Sequence, residues 1–424
     1  MSTPDFDVIV VGAGVAGCCC ATLCARAGLS VLLLERAARP GSKNLSGGRL
    51  YGYAFEAIFP GFARSAPLER KITREKLSTL NSGGASTLEY QHADAHSWSV
   101  LRARLDPWLF AQAEQAGAQC LTGIQIEALH SENGSVRGVI VEGDVLFARA
   151  VVIAEGANTL LAEQHRLVEK LPKEGVAVGV KEVLALPRET LENRFALEAN
   201  EGAAWLFTGG ICADLPAGGF LYTNDETLSL GLVFPLSSLR GAPAPLPELL
   251  EQFKQHPALR PLLRGAEVME YGAHLVPECG LKGMPERLAG KGYLLVGDSA
   301  RFCVNTGFTI RGMDLAALSA QAAAQTLIIA LGQDSDADMQ PLYQRQLEAN
   351  SLWSIMSRYQ KMPGFLRTPA LYQAYPGLLA ELQQDIYTVD SAPPQRVATL
   401  LWRHALRTGW PRLLKDIFRG GRSL

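Results

Sequence analysis

Three glycines at 12, 14 and 17, in GAGVAG, directly follow the apolar run FDVIVV (6 to 11). That order suits a phosphate-binding turn. Gly12 allows the tight reversal, Gly14 lets backbone approach a pyrophosphate, Gly17 lets the next helix pack closely on the strand, and the helix N–H groups face the anion. A second apolar run, SVLLLER, ends in Glu35 and Arg36, placing a carboxylate 23 residues past Gly12. There it can accept a hydrogen bond from a ribose hydroxyl. Cys18, Cys19, Cys20 and Cys24 come next after the glycines, and a redox or metal site would need them to converge. Successive helix residues turn by about 100°, so only Cys20 and Cys24 share a face. Their β-carbons would stand about 5–6 Å apart, too far for an unstrained disulfide. With Ala16, Leu23 and Ala27 they form an apolar stripe suited to packing under a sheet. HADAH (92 to 96) has helical metal spacing, but Asp94 and a loop context favour no metal there.

These residues need elements to hold them. FDVIVV, a helix running to about Ala27 with Gly28 as its stop, and SVLLLER make a complete strand–helix–strand unit. VLRARLDPWLFAQAEQAGAQ predicts a strand end and a helix, with Asp106 as N-cap, Pro107 at the first helical position and Gly117 just past the end. Arg102 and Arg104 stand before that start, and either could pair with a phosphate. AVVIAEGAN (150 to 158) and GYLLVGDSA (292 to 300) read as further buried strands, the latter with Asp298 at its carboxyl end. Ligands in open α/β sheets sit beyond the carboxyl ends of strands, so these segments should face one crevice. Residues 311 to 313, Arg-Gly-Met, open a long apolar helix. Its positive N-terminal end is expected to point back at the site and favour a reduced, anionic cofactor ring, with Gly307 and Gly312 allowing close backbone approach. Alternating strands dominate 176 to 275, with FLYT and LSLGLVF joined by NDET as a hairpin.

Composition narrows the classes. A net charge of -2 over 424 residues argues against a general electrostatic grip on nucleic acid. The eight cysteines lack the paired spacings of a disulfide framework or zinc ribbon, which suits a reducing, cytoplasmic setting. Val8 to Ala25 is uncharged and of membrane-spanning length, but Asp5 and Asp7 flank it and glycines cut it; no other segment is expected to qualify. The last stretch, from Arg396, carries seven Lys or Arg against one Asp, with Trp402 and Trp410 interleaved. That pattern suits a membrane surface or an acidic partner.

The combination resembles the flavoprotein superfamily of aromatic hydroxylases, geranylgeranyl reductases and electron-transfer-flavoprotein:quinone oxidoreductases. Four segments, GSKNLSGGRLY (41 to 51), GGFLYTNDETLSLGLV (218 to 233), HLVPECG (274 to 280) and NTGFTIRGMDLA (305 to 316), look like the FixC branch of the quinone oxidoreductase family. The resemblance implies FAD rather than NAD. It also implies an α/β fold: a Rossmann-like FAD-binding domain with an inserted mixed α+β substrate domain and a helical C-terminal region. The expected bounds are 1–50, 98–168 and 285–332 for the FAD domain, 51–97 and 169–284 for the quinone-side sheet domain, and 333–424 for the helical region. Arg102 to Leu105 would lie near the FAD phosphates, and Gly297 with Asp298 would hold the ribityl chain. Lys43, Asn44, Gly47, Gly48, Glu155, Gly156, Gly307, Gly312 and Met313 complete the candidate cofactor set.

Two departures stand out: Glu155-Gly156 replaces the usual Asp-Gly, and Ser299-Ala300-Arg301 replaces Ala-Ala-Gly, placing bulk and charge near the expected pyrophosphate. The implied activity is electron transfer from a two-subunit electron transfer flavoprotein to quinone. Larger members carry a C-terminal iron-sulfur domain, whereas the last cysteine here is Cys303, so a separate ferredoxin-like iron-sulfur subunit is expected. The expected location is cytoplasmic, peripheral on the inner membrane. The rivals are an aromatic hydroxylase, a prenyl-chain reductase and a non-catalytic membrane-docking scaffold.

Overall fold

A computed structural model describes residues 4–424 except 43, 45, 46, 82, 213, 214, 334–336, 392 and 394. Phe6–Val11, Val31–Glu35 and Asp144–Ile153 lie side by side and parallel, with Val8 opposite Val31 on one edge and Ala150 on the other. Both faces of these strands are covered, so the uninterrupted Val, Ile and Leu runs are what the position demands. Among the described residues the order across this first sheet is Ala289–Gly290, Tyr293–Leu295, Asp144–Ile153, Phe6–Val11, Val31–Glu35, Gln119–Thr122. The Rossmann-like reading is therefore met.

The helix after the glycines, Val15–Arg26, is wedged between this sheet and the helices Arg102–Gln115 and Met313–Gln333. Cys18, Cys19, Cys20 and Cys24 are all free and fully buried. The single-stripe expectation is corrected here. Cys18 and Cys19, outside that stripe, are buried, whereas Leu23 is half-buried and Ala27 exposed, because three neighbours cover the helix instead of one. Met313–Gln333 corrects a second expectation: by length and composition it could cross a membrane, yet 72% of its most apolar window is buried in this fold.

A second sheet runs Glu267–Pro277, Val176–Ala185, Thr227–Pro235, Gly218–Thr223, Glu201–Gly209, Lys71–Asn81, Ser97–Val100, Gly48–Tyr51, with Gly84–Gln91 paired to Lys71–Asn81. The NDET turn joins its two strands as expected, with Thr223 opposite Leu228 and the Asn224 N–H donating to the Thr227 carbonyl at 2.8 Å. Strand periodicity divides the sheet into two faces. Val180, Leu221, Leu230, Leu232 and Phe234 pack with Leu249, Leu250 and Phe253 of the helix Leu246–Lys254 into a core of their own. Lys181, Phe220, Tyr222 and Ser229 occupy the opposite face, toward the first sheet's crevice. Gly48–Tyr51 pairs with Ser97–Val100 at the edge of this sheet, so the expected boundaries at 50 and 98 cut through a strand pair. Residues 53–65, expected in the second unit, send Phe55, Phe59 and Phe62 into the first core.

The C-terminal region is helical, and Tyr343 anchors its start: fully buried, it donates its hydroxyl to the Leu295 carbonyl at 2.9 Å. Since the four clustered cysteines serve packing, changing all four to Ala should preserve FAD content. Unfolding should cost about 1 kcal/mol less for each small void created. Absorbance of the purified variant and a melting curve check both points.

Candidate active site

Gly12 has φ of +103°, and a Cβ there would lie 2.4 Å from the Ala154 carbonyl oxygen. A Cβ on Gly17 would lie 1.9 Å from the Gly12 carbonyl oxygen. Both glycines are thus required by contact, and Gly14 caps the helix without any side-chain bond, leaving the N-terminal N–H groups open to an anion. The Glu35 carboxylate accepts from the Ala13 N–H at 2.9 Å and the Ala37 N–H at 2.7 Å. It braces the turn from the position at which a dinucleotide's ribose hydroxyl is met. Arg36 stands exposed beside it.

The predicted helix start at Pro107 is corrected: the helix begins at Arg102 and Pro107 lies inside it. Asp106 is not a cap but a fully buried acid in the second turn. Arg102 clamps it with Nε to Oδ1 at 2.6 Å and Nη2 to Oδ2 at 2.8 Å, an i,i+4 pair that closes the first turns. Asn44 also donates to Asp106, which ties the 41–48 loop to this helix. The Arg102 guanidinium reaches 3.9 Å from where a Cβ on Gly14 would be, so it flanks the phosphate turn. Arg104 instead pairs with Glu69 at 2.9 Å, largely exposed. Lys43 lies outside the described residues.

Gly297 (φ +58°) and Asp298 follow the Tyr293–Leu295 strand into the same crevice. Burial pushes the Asp298 carboxyl up to about 6, opposed by Arg102; no hydrogen bond reaches this carboxylate among the described residues. Glu155 follows the strand Asp144–Ile153 and has backbone partners. Its oxygens accept from the Leu161 and Ala162 N–H groups at 2.7 and 2.9 Å, capping the helix Leu160–Gln164. Gly156 (φ +81°) keeps open space where a side chain would stand, and its N–H donates to Ser299 Oγ at 3.1 Å. Arg301 does not crowd the phosphate turn. Its φ is +63°, the left-handed region that the family's usual glycine would favour, and its guanidinium donates to the Glu169 and Gly283 carbonyls.

At the far end of the crevice, Gly47 (φ +76°) lies against Ser229, and a Cβ on Gly48 would meet Met313 Cε at 3.4 Å. Gly312 has open space around it, while Gly307 (φ +80°) lies near Met362. Lys181, which no motif signals, donates to the Gly47 carbonyl; burial pushes its ammonium down to about 7, opposed by Glu270. Its one visible trace is the adjacent charged pair Lys181 and Glu182 inside the otherwise apolar strand VAVGVKEVLA. Next to this end lies a cavity of about 140 Å³, roughly ten times the 10–15 Å³ one water requires. Leu206, Phe220, Tyr222, Val304, Ile310 and Tyr359 make it largely apolar, and Glu278 and Asn305 supply polar groups.

Residues 7–162 match a model described as FAD dependent oxidoreductase, and residues 362–424 match the ETF-QO/FixC family C-terminal domain. The chain is 53% identical over 420 residues to the probable electron transfer flavoprotein-quinone oxidoreductase YgcN of Escherichia coli (strain K12), covering 99% of each. It is 46% identical to Protein FixC of the same strain over 427 residues, again 99% of each. The chain belongs to the electron transfer flavoprotein-quinone oxidoreductase/FixC family. A geranylgeranyl bacteriochlorophyll reductase-like protein from Thermoplasma acidophilum shares the fold, with TM-score 0.73, 17% identity and coverage of 98% of this chain and 99% of that one.

This FixC-family protein is an FAD-dependent oxidoreductase, and its crevice fits the cofactor. The uncapped helix start beside Arg102 suits a pyrophosphate, and the Asp298 carboxylate, without a partner among the described residues, suits a polyol. Hydroxyl donors on a ligand stabilise the ionised form of Asp298. FAD affinity should therefore weaken as pH falls through about 6, and Asp298→Asn should flatten that dependence while binding FAD more weakly at pH 7. Fluorescence titration of the apoprotein across pH measures both.

Proposed function

We propose that this protein takes electrons from a two-subunit electron transfer flavoprotein and delivers them to quinone. The observation that carries the reading is the apolar cavity between the second sheet, residues 303–310 and the C-terminal helices, whose Phe220 ring centroid lies 5.9 Å from Lys181 Nζ, the group that donates to the Gly47 carbonyl. An aromatic-lined slot with few polar groups suits a quinone ring and its apolar tail. FAD, when bound, supplies the electron-carrying chemistry. The chain's own part is to hold the dinucleotide with the glycine turn, Arg102 and Asp298, and to close the ring end with the 47–48 loop and Lys181. We also propose a separate ferredoxin-like iron-sulfur subunit. Among the described residues, no group of three or more His, Cys, Asp or Glu could hold a metal.

A membrane surface, the source of quinone, is the second part of the proposal. In the helix Trp410–Ser423, Asp416, Gly420 and Ser423 are buried, Gly420 tightly against the Phe365 ring and Asp416 bonded by the Tyr375 hydroxyl at 2.6 Å. Trp410, Leu414, Ile417 and Phe418 are its exposed large apolar residues. An exposed stripe of this size is unusual for a helix facing water, and Arg412, Lys415, Arg419 and Arg422, also exposed, run along one side of it. A stripe of this kind sinks into the headgroup region, and its cations favour anionic lipid. We propose a peripheral position on the cytoplasmic face of the inner membrane.

Two experiments decide. Reduced electron transfer flavoprotein should bleach the bound FAD, and added quinone should restore its colour. Rapid bleaching by NADPH, with oxygen uptake that follows an aromatic substrate, would establish a hydroxylase instead. Ile417→Glu with Phe418→Glu should remove at least tenfold of the affinity for anionic vesicles, since each buried side chain contributes about 1.5–3 kcal/mol, and should leave FAD content unchanged. Vesicle flotation of both proteins reads the difference.

A further inference from the structure

We propose that Glu278 is the proton donor to the quinone in this cavity, an assignment that rests on the quinone reading above. Glu278 follows the strand Glu267–Pro277 and lines the cavity. Oε1 accepts from Asn305 Nδ2 at 3.1 Å. The Asn305 amide is itself oriented, because its Oδ1 accepts from the Gly307 N–H at 2.9 Å and its backbone pairs with Ile310. The second Glu278 oxygen has no protein partner among the described residues and has the cavity beside it.

Chemistry supplies the need. A quinone becomes a quinol by taking two electrons and two protons. The electrons come from FAD reduced by the upstream flavoprotein. One O–H bond forms on a quinone oxygen as the Glu278 O–H bond breaks; the second proton comes from solvent, which also returns a proton to Glu278 past the exposed Glu174 and Arg367 of the cavity lining. The carboxylate left behind keeps its bond from Asn305 and faces the positive charge of Arg367. Burial raises the Glu278 carboxyl above the ordinary carboxylate range, opposed by Asn305 and Arg367, so the acid holds its proton at higher pH than a surface glutamate. Of the other titratable groups near it, Cys279, Cys303, Tyr222 and Tyr372 are raised by burial and stay uncharged, Tyr359 is a phenol, and the charged groups lining the cavity are Arg367 and the exposed Glu174.

The test compares wild type, Glu278→Gln and Glu278→Asp as FAD-loaded proteins, reduced beforehand and mixed with a short-chain quinone or with ferricyanide, which takes electrons without protons. In wild type the quinone rate should fall as pH rises through the titration of Glu278. Glu278→Gln should lose this limb, with the ratio of quinone to ferricyanide rates down roughly 100-fold, the usual scale of general acid catalysis. Glu278→Asp should keep the limb at a lower rate. An infrared band of a protonated carboxyl should be present in wild type, titrating over the same pH range as the quinone rate, and missing from Glu278→Gln. An unchanged pH profile in Glu278→Gln, or a wild-type spectrum without that band, overturns the donor assignment alone. Wild type that reduces ferricyanide but no quinone overturns the quinone reading and the donor with it.

Discussion

Asp106, a carboxylate with no exposure at all, is the constraint on which the rest of the crevice depends. A buried charge of this kind persists only when paired and hydrogen-bonded on every side, and the chain meets that demand from two directions. Arg102 binds it from one turn earlier on its own helix, and Asn44 binds it from the loop that leads toward the second sheet. A Cβ on Gly41 would lie 2.7 Å from the Arg102 carbonyl and 2.9 Å from Asp106 Cβ, so that loop is pressed onto the pair. The ion pair thereby positions the guanidinium beside the phosphate turn and holds Gly41 and Asn44 against the helix.

From that loop outward the second sheet governs the reaction chamber. One face is satisfied by its own core around Phe253, which frees the other to carry Lys181, Phe220 and Tyr222 toward the crevice and cavity. The two faces differ by one residue of register, so a slip of one position would exchange a leucine core for a buried lysine. The nine residue pairs along Val176–Ala185 and Thr227–Pro235 hold that choice.

Much of this was legible in the chain, and what was not has a common cause. The glycine turn, Glu35, the Gly297-Asp298 pair and the NDET hairpin rest on local geometry that neighbouring residues encode. Asp106 was misread because Asp-Pro is a frequent helix start, and only the buried partner at Arg102 shows why the helix begins earlier. The place of Arg301 was misread because its partners are backbone atoms, the carbonyls at 169 and 283, and backbone leaves no trace in residue type. Lys181 and Glu278 follow no motif and take their significance from the walls around them. In the last helix, the spacing of Trp410, Leu414, Ile417 and Phe418 was plain, but which face the fold would bury was decided by Phe365 and Tyr375.

The helix Met313–Gln333 carries a consequence for how the chain is made. On emerging from the ribosome it offers a stretch that machinery sensing apolar segments could mistake for a membrane anchor. Every element it packs against up to that point in synthesis, including Val15–Arg26, Tyr53–Glu56 and the turn Gly297–Ala300, precedes it in the chain. Domains fold as synthesis proceeds, so much of its burial site stands ready when the helix appears and Gln340–Ala349 covers the rest afterwards, and chain order becomes a safeguard against mistargeting.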